Sequence, residues 1–170
     1  MLTQREIIST LEMLKNEHLD VRTVTLGVSL LDCAGSDLTQ VRQRVADRIC
    51  RLAGQLVPVC DRIGQKYGIP VVNKRVAVSP IAVVGAALAP AEMVELAHTL
   101  DAVAREINVD FIGGFSALVE KGMARGDRSL IAAIPEALAT TERLCASVNV
   151  ASTRAGINMD AVIRMGQTIK

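Results

Sequence analysis

Apolar and polar positions alternate with two different periods along this chain, and the changes of period mark a succession of strands and helices. A capping box of Thr3 and Glu6 opens a first helix whose apolar stripe is Ile7, Ile8, Leu11 and Leu14. Val21 to Leu31 alternates with period two and reads as a strand. Asp37 then caps a long helix with Leu38, Val41, Val45, Ile49, Leu52, Leu56, Cys60 and Ile63 on its inner face, bent at Pro58. A second strand covers Ile69 to Val78 and ends at Ser79-Pro80. A short apolar helix follows, then a longer one from about Pro90 carrying Met93, Leu96, Ala97, Leu100, Val103, Ala104 and Ile107. Val109 to Gly113 is a third predicted strand, closed by Gly113-Gly114, with helical segments over Ser116 to Met123 and Asp127 to Arg143. Pro135 kinks or splits the second of these. Leu144 to Val150 makes a fourth strand, and Asn158 caps a last helix that runs to Lys170. Strands separated by helices imply a parallel β-sheet with right-handed crossover helices, an α/β fold in a single domain over residues 1–170.

The alternation also sorts each strand into two faces. In the first, Val24, Leu26, Val28 and Leu30 oppose Thr23, Thr25, Gly27 and Ser29. In the second, Val72, Lys74, Val76 and Val78 oppose Asn73, Arg75 and Ala77; in the fourth, Ala146, Val148 and Val150 oppose Cys145, Ser147 and Asn149. Parallel sheets are normally covered by helices on both sides and read as apolar throughout. A face of small polar residues therefore needs water, a partner surface or a ligand against it. The phases predict that Thr23, Thr25, Asn73, Arg75, Ser147 and Asn149 lie on one side of one sheet.

Composition narrows the classes. Half of the 170 residues are apolar and only Tyr67, Phe111 and Phe115 are aromatic, so the core is aliphatic. A net charge of +1 without a basic cluster gives no footprint for nucleic acid. The longest apolar stretch, Ile81 to Pro90, is half of the roughly 20 residues that span a bilayer. The N-terminus runs straight into a charged helix without a signal-peptide core, so a cytoplasmic location is expected. Cys33, Cys50, Cys60 and Cys145 form no C-x-x-C pair and have no His nearby, which fits free thiols in a reducing compartment, not a metal site. His18 and His98 fit surface or packing roles, and no phosphate-loop, dinucleotide, zinc-protease or serine-hydrolase signature is present. The sequence leaves the cofactor unknown.

Ligands of α/β sheets gather beyond the C-terminal ends of the strands. Ser152, Thr153 and Arg154 follow the fourth strand and precede the helix start at Asn158, an arrangement suited to an anion and equally to turn capping. Ser116, after the Gly113-Gly114 turn, is either a ligand contact or a helix N-cap. Asn73, Arg75 and Asn149 stand on the polar strand faces, where an unpaired mid-strand charge is costly unless it lines a cavity. Lys74 points the opposite way, to solvent or a partner.

The segments Leu30-Leu31-Asp32-Cys33, Val72-Asn73-Lys74-Arg75, Phe111 to Val119 (FIGGFSALV), Ser147 to Val150 (SVNV) and Ser152 to Ala161 (STRAGINMDA) together resemble the bacterial and archaeal family called domain of unknown function seven-one-one. The resemblance covers essentially the whole chain. It implies half of a pyruvate formate-lyase-like, glycyl-radical-enzyme-like barrel, two parallel half-sheets set antiparallel around a polar lumen. Family members are longer, so the chain resembles their N-terminal portion, and the sheet's open side would be covered by a second chain in a homo-oligomer or by a missing second half. The resemblance further implies a possible ACT-domain partner. The adjacent cysteine pair of glycyl radical enzymes has no counterpart here, because Cys33 and Cys145 are isolated.

Two functions remain open at this point. One is a metabolite-binding or enzyme-like barrel whose polar lumen holds a small anion through Arg75 and Arg154, oriented by Asn73, Ser116, Asn149 and Thr153. The other is a non-catalytic scaffold or regulatory subunit that acts with the ACT-domain protein.

Overall fold

The computed structural model describes residues 3–16 and 20–170, apart from the side chain of Leu14; His18 and the first two residues lie outside the described set. Helix α1 (Gln4–Lys15) begins at the predicted capping box. Strand β1 (Val21–Val28) is followed by a 3-10 turn over Leu31–Cys33, then α2 (Leu38–Ala53), α3 (Leu56–Tyr67) and β2 (Val71–Val78). A one-turn helix α4 (Ile81–Val84) and α5 (Pro90–Glu106) lead to β3 (Phe111–Leu118), and α6 (Arg125–Ala139) leads to β4 (Leu144–Asn149). The chain continues as a small antiparallel hairpin, β5 (Ala151–Ser152) with β6 (Gly156–Ile157), and finishes in α7 (Met159–Ile169).

The four long strands are all parallel and lie in the order β1-β2-β3-β4. That order matters. When each strand is laid beside the previous one by a right-handed crossover, every connecting helix falls on the same side of the sheet. The core accordingly sits on one face, where Val28, Val76, Val78, Ile112, Phe115, Ala117 and Leu144 meet Val41, Val45, Ile49, Leu96, Leu100, Leu130 and Ile134 of the helices. Lys74 shares this face and is drawn to Asp61 of α3, its Nζ 3.3 Å from the carboxylate. Asp101, buried in α5, accepts hydrogen bonds from the backbone N–H of Glu142 (3.0 Å) and Arg143 (2.7 Å) and pairs with Arg105 at 2.7 Å. It ties α5 to the link between α6 and β4.

Four expectations need correction. The predicted helix over Ser116 to Met123 does not form: β3 continues to Leu118 through a β-bulge at Gly114, so Ser116 is a strand residue and not an N-cap. Gly114 has φ +118, and a Cβ there would meet Val78 O at 2.6 Å, so the close approach requires glycine. The long second helix is not bent at Pro58; it breaks at Gly54-Gln55, and Pro58 lies in the first turn of α3, where a helix has no use for its N–H. Pro135 stands inside α6 without splitting it, and α6 stops at Ala139. The first strand ends at Val28, because Leu30 already turns toward the 3-10 segment.

Candidate functional site

Residues directly opposite one another in the register share a face, so the pairings fix what lies on the side away from the helices. Thr23 pairs with Asn73 and Thr25 with Arg75; Arg75 pairs with Phe111, and Gly27, Ala77, Gly113 and Cys145 form the next row. Beyond the bulge, Ser116 pairs with Ser147 and Leu118 with Asn149. Thr23, Thr25, Asn73, Arg75, Ser147 and Asn149 are therefore on one side, as the alternation predicts. The extra residue at Gly114 keeps this division intact: it turns Phe115 and Ala117 into the core while leaving Ser116 and Leu118 on the opposite side.

No described helix covers this second face. Thr25, Gly27, Arg75, Ala77, Cys145, Ser147 and Asn149 are all exposed. Among its strand positions Arg75 is the only charged residue, and it has no carboxylate partner among the described residues. Its guanidinium carbon lies 5.3 Å from the centre of the Phe111 ring, a cation–π contact that holds the side chain against the sheet. Thr25, Arg75, Val76, Ala77, Phe111, Gly113 and Cys145 line a hollow of about 320 Å³, whose floor is the row of small side chains. A fork of N–H donors at the rim of a shallow cleft can take a carboxylate or phosphate in bidentate fashion.

The remaining sequence candidates divide into two places. Asn73 spends its Nδ2 on Arg22 O (3.0 Å), and the nearly buried Ser116 hydroxyl donates to Gly114 O (3.3 Å). Asn149 stands level with Leu118, seven residues along β3 from Phe111, which is about 20 Å at strand rise. Ser152, Thr153, Arg154 and Asn158 lie beyond that end, in a hairpin that sequence reading treats as a loop. Ser152 Oγ accepts from Ala155 N (3.1 Å), and Thr153 and Arg154 occupy the exposed turn, with Gly156 at φ +78 closing it. Asn158 caps α7 by accepting from Ala161 N (3.2 Å) and donates through Nδ2 to Val119 O (2.7 Å). Arg75 and Arg154 thus belong to separate regions and do not converge on one small ligand.

The thiols sort by environment. Cys33 and Cys60 are buried, and burial pushes both thiols up from the usual range, with Asp32 adding to the effect at Cys33. Cys50 is raised by burial as well, then by Glu106. None of these three is set up as a thiolate nucleophile. Cys145 is the exposed one, on the open face in the same hollow as Arg75. Sequence reading missed Phe111 as the support of Arg75; its signal was an aromatic opening a strand whose phase matches Arg75. His98 bridges α5 to the end of α6, with Nε2 2.8 Å from Thr140 Oγ1. Among the described residues no group of three or more His, Cys, Asp or Glu could hold a metal ion. No described helix is long and apolar enough to cross a membrane.

Comparison with known proteins places this geometry in a family. Residues 12–170 match the family described as Uncharacterised ACR (DUF711). The chain is 69% identical over 170 residues to a UPF0210 protein of Syntrophobacter fumaroxidans, covering 100% of this chain and 37% of that protein. Similar proteins of the same name occur in Oleidesulfovibrio alaskensis (64% over 169 residues, 99% of this chain, 37% of that protein) and Listeria monocytogenes (52% over 165 residues, 97% and 37%). The chain spans about 37% of the length of these relatives. It belongs to the Uncharacterised ACR (DUF711) family.

Proposed function

We propose that in this family member the open sheet face is the inner wall of a ligand cavity, and that Arg75 is its anion anchor. The observation that carries the reading is the Arg75 guanidinium, without a carboxylate partner among the described residues and stacked on Phe111, on a face of small polar residues that no described helix covers. Sequential parallel strands with all helices outside are the wiring of a barrel wall, whose inner face meets the lumen. This supports half of a pyruvate formate-lyase-like barrel, with the second half-sheet coming from the further length that the relatives possess or from a second chain. The ligand is then a small carboxylate or phosphate bound in the lumen, for binding alone or for reaction.

The test is calorimetric titration with inorganic phosphate and with malonate. A charge-assisted hydrogen bond contributes about 1.5–3 kcal/mol, so Arg75→Ala weakens binding about tenfold to a hundredfold. Arg154→Ala leaves it unchanged. Equal binding by wild type and Arg75→Ala removes the anchor from the account.

The scaffold reading draws on a different observation. Helix α7 leaves Met159, Ile163 and Ile169 at 60%, 59% and 80% exposure, an apolar stripe suited to another protein surface. An ACT-domain partner is its candidate. Titration of a purified ACT-domain protein into the chain, with Ile163→Glu as the control, tests it: saturable binding lost in the variant supports the scaffold, and no heat of binding rejects it.

A further inference from the structure

A second cavity, of about 610 Å³, opens at the other end of the sheet, beyond the finishing ends of β3 and β4. Small-molecule sites in α/β folds lie in this position and have this order of size. Its wall carries two acids, Glu120 and Asp160, and two bases, Lys121 and Arg128. Among the described residues none of the four is in an ion pair, with each other or with anything else. One of them also lacks an internal partner: Glu120 Oε2 is buried and no hydrogen-bond donor among the described residues reaches it. A buried carboxylate oxygen without a donor carries a desolvation cost, and a cation bound at the accessible side of the same carboxylate offsets it through its charge. Asn158, on the same wall, donates to Val119 O and accepts from Ala161 N, and makes no bond to Glu120 Oε2.

Two carboxylates beside two cations suit neither a simple anion nor a simple cation, because each would face a like charge on the same wall. They suit a molecule that carries both charges a few bonds apart. We propose that this cavity binds a free α-amino acid, with its ammonium group on Glu120 and Asp160 and its carboxylate on Lys121 and Arg128. The site is distinct from the Arg75 hollow and stands or falls without it.

The experiment is a thermal-shift screen of the 170-residue chain against the twenty common amino acids. Calorimetry in the Arg75→Ala background, where the lumen hollow offers no carboxylate anchor, then compares the best binder with its deaminated acid and its decarboxylated amine. Each analogue should bind at least tenfold more weakly than the amino acid. Glu120→Gln should erase the penalty for losing the ammonium, and Arg128→Gln the penalty for losing the carboxylate. Asp160→Asn, in the exposed first turn of α7, provides the ammonium test should Glu120→Gln fail to fold by circular dichroism. Arg75→Ala should leave amino-acid binding unchanged, which separates failure here from failure of the lumen reading. No stabilisation by any amino acid, or an analogue that binds as tightly as the parent, overturns the proposal; so does a folded Asp160→Asn variant that keeps the full preference for the ammonium.

Discussion

The two faces of the four-stranded sheet are built from the same strands and do opposite jobs. On one, Val28, Val76, Ile112, Phe115 and Ala117 are at most 4% exposed and packed under helices. On the other, Thr25, Arg75, Cys145, Ser147 and Asn149 are open, and side chains as small as Gly27, Ala77 and Gly113 leave a hollow. Stability is concentrated on the first face, since burying an aliphatic or aromatic side chain contributes about 1.5–3 kcal/mol. The second face contributes little to folding and is free to carry an otherwise unfavourable residue such as Arg75. A parallel sheet that leaves one face polar points to an occupant of that face, because parallel sheets ordinarily bury both.

The strongest way to break the comparison is to cut the buried face. Phe115→Ala should cost about 3–5 kcal/mol, read as a fall in the denaturant midpoint; a loss under 1 kcal/mol would mean that Phe115 is not core. Next is the bulge that keeps the faces apart. Gly114→Ala places a Cβ against Val78 Cγ2 (2.5 Å) and Val78 O (2.6 Å) at φ +118. Strain at a left-handed position and overpacking cost about 1–3 kcal/mol each, so the variant should be markedly less stable. A neutral result would show that β3 runs without the bulge.

A smaller effect comes from the thiols on the covered side of the molecule. Burial raises Cys33, Cys50 and Cys60 above the ordinary range. The folded state therefore holds these protons more tightly than the unfolded chain. Their contribution is fully present below about pH 8.5, the unfolded thiol value, and is lost as pH rises through the raised folded values. Denaturant midpoints should fall between pH 8 and pH 10, and serine at Cys33 should reduce the fall; a rising midpoint would contradict it. Smallest of all, Thr25→Ala on the open face should shift stability by no more than about 0.5 kcal/mol. A core-sized loss there would erase the distinction between the faces.

Much of the division was legible in the sequence because strand alternation is a local signal. Thr23 and Thr25, Asn73 and Arg75, and Ser147 and Asn149 each announce their phase within one strand, and the parallel register brings them together. The caps at Thr3, Asp37 and Asn158 were readable for the same reason. Gly113-Gly114 was misleading: a glycine pair signals a turn or a bulge, and only the approach of Val78 from the neighbouring strand decides for the bulge. Pro58 likewise suggested a bend, but the break falls three to four residues earlier, at Gly54-Gln55. The pairing of Arg75 with Phe111 depends on how far β3 slides along β2, a non-local quantity that neither segment contains. The separation of Arg75 from Arg154 has the same origin.

Cys145 offers the most direct measurement of the central claim, because it is the exposed thiol of the four and lines the same hollow as Arg75. The quantity to follow is its modification rate with a disulfide reagent, with and without saturating phosphate or malonate, in wild type and in Arg75→Ala. Labelling of the free protein should be fast, slow at least tenfold when the anion is bound, and show no slowing in Arg75→Ala. Labelling that ignores the anion although calorimetry shows it bound would place the ligand elsewhere and contradict the open face as the cavity wall.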